Sequence, residues 1–146
     1  MKKFFMLAAF LCAFMLVSTV HAESWRHAMV NRSGAWYVDA HSVMLEKNSD
    51  GEFIFFTLVK QELSAAARQQ YGRENVHYKI FREEFKLSEG IKYFRVGATT
   101  NYNFDGSSYS NPIDTFDWDI ISAGSVAESL YETTYRFLKL QLDDVE

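Results

Sequence analysis

Cysteine and proline are almost missing from this chain: one of each occurs in 146 residues, as Cys12 and Pro112. A single thiol closes no internal disulfide, so the fold has to be held by packing and hydrogen bonds. Positive charge is also scarce. Residues 1–22 carry two of the 15 Lys and Arg and none of the 19 Asp and Glu, so the remainder has 13 basic against 19 acidic side chains, a net charge of −6. Without a basic stripe the chain lacks the phosphate-neutralising charge on which nucleic-acid affinity rests, and it is poorly matched to anionic lipid. No Gly-rich phosphate loop and no nucleophile elbow are found.

Long apolar runs are confined to the beginning. Residues 4–20 are almost wholly apolar, Lys2 and Lys3 precede them, and Val20, His21 and Ala22 place a small residue at a cut site. This is the pattern of a secretory signal peptide cleaved after Ala22. Residues 23–146 are then one domain of ordinary size, able to bury about two thirds of its unfolded surface. Cys12 follows Leu11, where a lipoprotein signal has Gly, Ala or Ser, so no lipid anchor is expected. The expected location is periplasmic or secreted, with no stable membrane anchor after cleavage.

Aromatic residues are plentiful. All eight Tyr, all three Trp and nine of the 13 Phe fall after residue 22, where they suit the pleated face of a sheet. Strands are expected over 24–30, 35–39 and 42–47, with turns at "NRSG" and "NSDG". In "EFIFFTLVKQE" (52–62), Phe53, Phe55, Thr57 and Val59 share one face while Ile54, Phe56 and Leu58 share the other. Apolar residues on both faces indicate a central strand covered on each side. "LSAAARQQYG" (63–72) breaks the pattern: Ser64 caps a short helix and Gly72 ends it.

In "NVHYKIFREEFKL" (75–87), Val76, Tyr78 and Ile80 occupy one phase and Phe81, Phe85 and Leu87 the other. Such a change of phase predicts a β-bulge near Ile80 or Phe81. "IKYFRVGATTNYNF" (91–104) alternates with Phe94, Val96, Ala98, Thr100, Tyr102 and Phe104 on a single face, and Asp105-Gly106 signals a hairpin. Residues 107–116 are polar, contain Pro112, and read as irregular; residues 116–121 read as extended. Ser125 and Glu128 form an S-x-x-E capping box, after which Ala127, Leu130, Tyr131, Thr134, Phe137 and Leu138 recur at helical spacing. The expected fold class is α+β: a single antiparallel sheet, a short mid-chain helix, and a C-terminal helix whose apolar stripe lies on the sheet.

The order of these features resembles the surface-adhesin protein E family of Gram-negative bacteria. The likeness is carried by Trp25 after the signal, by Tyr37, Val38, Asp39, Ser42 and Val43 in "YVD..S", by the Asp105-Gly106 turn, and most specifically by Trp118, Ile121, Gly124, Ser125, Glu128, Leu130 and Tyr131 in "W..I..GS..E.LY". It covers most of residues 24–138. It implies an antiparallel sheet with a packed C-terminal helix, and a surface-exposed binder of host proteins such as laminin, vitronectin and plasminogen. Such proteins commonly fasten the last helix to a strand by a disulfide. The two cysteines would fall close to Tyr135 and near Lys86 or Leu87, and neither is present here. Loss of both leaves the helix held by packing alone. The missing lipobox in turn favours a periplasmic or released protein over one displayed on the surface.

Catalytic patterns are weak. "DAHS" (39–42) contains the residue types of a hydrolytic triad, but alternation sends Asp39 and His41 to one face and Ser42 to the other, so it reads as a turn with Asp and Ser accepting from the backbone. His27, His41 and His77 lack metal-ligand spacing. Asp117 and Asp119 in "DWD" can share one face about 7 Å apart, near the spacing glycosidases use, yet read as a solvated face. No catalytic residue, metal or cofactor is assigned. The expected function is an exported non-catalytic, adhesin-like module with a host or envelope protein as partner and no nucleic acid, and an uncovered aromatic sheet face leaves room for a homodimer. The alternative is a small periplasmic hydrolase whose site assembles from residues distant in sequence. The binding surface is expected on residues 101–116, through Tyr102, Phe104, Tyr109 and Phe116, because Tyr among small polar residues offers large contact area at low entropic cost.

Overall fold

The structure is a computed structural model that describes residues 24–115 and 117–145; the signal segment and Phe116 lie outside them. Ten elements follow in chain order: β1 (Trp25–Asn31), β2 (Gly34–Asp39), β3 (Met44–Lys47), β4 (Phe53–Leu63), α1 (Ala65–Gln70), β5 (Val76–Ser88), β6 (Ile91–Asn103), β7 (Ser108–Thr115), β8 (Asp119–Ile120) and α2 (Val126–Asp143). The strands form one sheet in the order β1-β2-β4-β5-β6-β7, with β3 paired to β4 beyond β2 and β8 paired to β6. All pairings are antiparallel. The α+β class is therefore as expected, but eight strands make a larger sheet than the sequence suggested.

The additional strand is β7, where Pro112 had implied irregular chain. Pro112 falls where the β6–β7 register shifts, between the Thr99↔Asn111 and Gly97↔Thr115 pairs. β7 also ends the strand order. A proline without an N–H is tolerated at an edge or a bulge, which removes the conflict.

Turn chemistry sets the register of the long hairpin. Glu89 and Gly90 both have positive φ (51° and 80°) and join Ser88 directly to Ile91, the geometry a two-residue hairpin loop needs. Gly34 has a different role. Its φ is +141°, and a Cβ there would sit 1.8 Å from the Glu62 carbonyl oxygen, so β2 can lie against β4 only with glycine at this position.

Residues paired across the strands share a face. On β4 and β5 the inner face carries Phe55, Val59, Phe81 and Phe85, which join Val38, Val43, Leu130, Tyr131 and Leu138 in the main core. Phe55, Phe85 and Tyr131 form an aromatic triangle with ring centroids 5.1 to 5.7 Å apart. The helix stripe expected from the sequence is the buried face of α2: Ala127, Leu130, Tyr131, Thr134 and Leu138. Packing is not the only attachment, since Lys92 pairs with Glu132 and Gln141 Nε2 donates to the Ala40 carbonyl at 3.3 Å.

Ile54, Phe56, Lys60, Tyr78, Arg82 and Glu84 belong to the outer face. Among the described residues no helix packs there; cations rest on rings instead. Lys60 Nζ is 4.8 Å from the Tyr37 ring, 5.3 Å from Trp25 and 5.9 Å from Tyr78, and Arg82 lies 3.6 Å over Phe56. This layer leaves Ile54 and Phe56 only 7% and 8% exposed without a helix above them.

The irregularity expected near Ile80 or Phe81 is present as a register shift between Phe81 and Glu83, but the extra residue is not on β5. Opposite Arg82 it belongs to β6, at Gly97–Ala98, and β5 itself carries an extra residue at His77. A glycine in a strand interior is a natural bulge position. The slip overturns the single-face reading of β6: Phe94 and Val96 face inward, Thr99 and Asn101 follow them inward, and Thr100 and Tyr102 pair with Ile80 and Tyr78 on the outer side.

Candidate functional site: a polar pocket beside the C-terminal helix

α2 covers only part of the inner face. Beside its first turn the sheet is left open, and the register shows what is exposed there. The pairs Trp36↔Gln61, Gln61↔Lys79 and Lys79↔Asn101 set four inward side chains in one row across β2, β4, β5 and β6. Two residues along, Phe81 pairs with Thr99 and Thr99 with Asn111; two further, Glu83 pairs with Val96. With β8 and the start of α2 these rows enclose a pocket of about 710 Å³. That is within the size range of small-molecule sites.

Its lining changes character along the strands. At one end are Arg73, Lys79, Gln61 and Asn101; at the other, Phe94, Val96, Ile120, Val126 and Leu130. Lys79 to Glu83 spans four residues of β5, roughly 13 Å.

Three residues of this lining carry a buried polar atom without a hydrogen-bond partner among the described residues: Trp36 Nε1, Glu83 Oε2 and Asn101 Oδ1. Glu83 is 2% exposed and Asn101 3%. An unpaired buried polar group costs on the order of 1–3 kcal/mol, so three around one cavity are a concentration that a folded core ordinarily avoids. Burial pushes the Glu83 carboxyl up to about 8. At neutral pH it is therefore chiefly protonated, a hydrogen-bond donor as well as an acceptor. The Lys79 ammonium is shifted down, first by desolvation and then by repulsion from Arg73.

α2 enters the site through its cap. Ser125 Oγ accepts from the Glu128 amide at 3.1 Å, while Glu128 Oε2 accepts from the Gly124 amide at 2.7 Å. The hydroxyl half of the expected box is thus present, while the carboxylate reaches one residue further back, since the Ser125 amide donates to the Ser122 carbonyl. The Glu128 carboxylate occupies the positive end of the helix.

The residues singled out from the sequence lie elsewhere and do not converge. Tyr102 is half-buried on the outer face, stacked on Tyr78 at 4.7 Å. Tyr109 pairs with Asn101, on the opposite side of the sheet from Tyr102, and is 48% exposed. Phe104 is 57% exposed, stacks on His77 at 4.7 Å and lies under Arg68 at 4.9 Å. Phe116 is outside the described residues.

The "DAHS" segment is the expected turn: Asp39 Oδ1 accepts from the His41 amide at 3.0 Å, and Ser42 Oγ donates to the Asp39 carbonyl at 2.9 Å. Asp117 and Asp119 are both exposed, and Asp119 borders the pocket. No His, Cys, Asp and Glu cluster able to hold a metal is found among the described residues.

Sequence reasoning missed Trp36, Gln61, Lys79, Glu83 and Asn101. One signal for Glu83 was present: in "FREEF" it shares a phase with Phe81 and Phe85, so a carboxyl on the core face was legible. Asn101 had none, because only the β6 bulge turns it inward. Compared with known proteins, the chain matches no family model, and no curated protein or solved structure is similar to it.

Proposed function

We propose that this chain is an exported, non-catalytic binding module and that the inner-face pocket is where it holds its ligand. The carrying observation is that Trp36, Glu83 and Asn101, which line one cavity, each hold a buried polar atom (Nε1, Oε2 and Oδ1) without a hydrogen-bond partner among the described residues. A bound molecule offering an acceptor to Trp36 and donors to Asn101 removes the desolvation cost those atoms carry in the free protein. Export is supported by the signal pattern of residues 1–22, and among the described residues no helix is long and apolar enough to cross a membrane. The test is native mass spectrometry of the protein isolated from its own envelope. A chain beginning at Glu23 and carrying a small-molecule adduct, lost in Ser122→Trp at the pocket rim, is expected. Bare protein that also shows no thermal shift with any compound of a broad small-molecule set overturns the reading.

Two further readings have an observation each. The resemblance to the surface-adhesin protein E family supports a protein partner, and the exposed rings of Phe104 and Tyr109 supply a surface for one on the β6–β7 hairpin. Crosslinking in the envelope, together with binding to immobilised laminin, vitronectin and plasminogen, should then give a saturable partner weakened by Phe104→Ala or Tyr109→Ala. The alternative of a small hydrolase is favoured by Glu83, since a carboxylic acid kept protonated at neutral pH is a general acid. Turnover in a hydrolase screen that Glu83→Gln abolishes would replace the binding reading.

A further inference from the structure

Lys79 and Arg73 are two cations on one pocket wall, and neither has an acidic partner among the described residues. Several other basic side chains on the sheet are matched: Lys60 pairs with Glu62, Lys86 with Glu52, and Arg95 with Glu84. Lys79 is also half-buried, where an unmatched charge costs more than on an open surface. Away from this end, Phe94, Val96, Ile120 and Leu130 contribute the larger apolar side chains of the lining.

Resting on the binding-module reading, we infer that the pocket takes a small amphipathic anion, its apolar body against Phe94, Val96, Ile120 and Leu130 and its charged head between Lys79 and Arg73.

The rest of the lining agrees with this choice of charge. The other buried titratable group, Glu83, is held neutral by its surroundings and so does not repel an anion; its carboxyl and the Trp36 N–H are both donors. Asp119 at the β8 rim is exposed to solvent, where its charge is screened. At the N-terminus of α2, the other feature that attracts anions, the Glu128 carboxylate stands against the Gly124 amide, and its negative charge disfavours a second anion there relative to Lys79 and Arg73.

Isothermal titration calorimetry of the mature chain with dodecanoate, dodecyl phosphate, dodecan-1-ol and dodecylammonium is the test. Saturable binding of dodecanoate or dodecyl phosphate is expected, and the better of the two tells a carboxylate head from a phosphate. The alcohol should bind at least about tenfold more weakly, the consequence of losing roughly 1.4 kcal/mol of head-group interaction. Lys79→Met and, separately, Arg73→Gln on its exposed turn should each weaken the anion by about the same factor and leave the alcohol unchanged. Dodecylammonium or the alcohol binding as tightly as the anions overturns the charge assignment but leaves the pocket a binding site. Failure of all four probes overturns the amphipathic class; if the envelope-isolated protein is also without an adduct, the binding-module reading falls with it.

Discussion

Glu83 shows how one side chain can set a pH dependence for the whole protein. Its folded-state value near 8 lies above the ordinary carboxylate value of 4.5, so between these limits the folded protein holds a proton that the unfolded chain releases. The contribution to stability is complete below about pH 4.5 and is lost as pH rises through the folded value, at most about 1.4 kcal/mol per pH unit. Ligand-free protein should therefore lose stability from pH 5 to pH 8. Glu83→Gln, equal in shape and unable to ionise, should remove most of that slope. In urea melts the variant should gain on the order of 2 kcal/mol at pH 8 and little at pH 5. Parallel pH profiles for the two proteins would show that Glu83 titrates normally and that the pocket floor is wet. The position of Glu83 was readable from alternation with Phe81 and Phe85, but its isolation was not, because that depends on which groups the neighbouring strands bring beside it.

Among the elements, α2 is the one whose local sequence and tertiary role agree most fully. Ser125 caps it, Glu128 answers from the first turn, and its apolar stripe closes over Phe55, Phe85 and Val59. A helix so marked is anchored at the end that borders the pocket. Ser125→Ala removes the acceptor for the Glu128 amide and should cost about 1 kcal/mol, read as a lower denaturant midpoint with an unchanged m-value. An unmoved midpoint would mean that the first turn is held by other contacts. β6 is the contrary case. Its residues alternate well enough to suggest one uninterrupted face, in which Gly97 reads as an ordinary strand residue. The bulge there exchanges the two faces of the following half, sending Tyr102 outward and Asn101 into the pocket. A one-residue slip reverses the later side chains, which sets Tyr102 on the opposite face from Asn101 and Tyr109.

For the whole molecule, the two faces of the sheet are protected by different means. The outer face is a layer of lysines and arginines over aromatic rings, built within the sheet itself, whereas the inner face depends on a helix that arrives last in the chain. A chain ending at Ile121 should consequently lose its cooperative melt and its near-ultraviolet circular dichroism while keeping exposed apolar surface that binds anilinonaphthalene sulfonate. A truncated chain that still melted cooperatively would show that the outer layer alone suffices.

What the sequence by itself determined is local: the antiparallel strands with their turns, the two helices with their caps, the central position of β4, and the face that α2 buries. These follow from propensity, capping and periodicity, each complete within a few residues. The pocket was decided by tertiary structure, through the β6 bulge, the alignment of Trp36, Gln61, Lys79 and Asn101 across four strands, and the limited length of sheet that α2 covers. Such a site consists of register between distant segments, and register depends on where the strands shift, which alternation within one strand does not reveal.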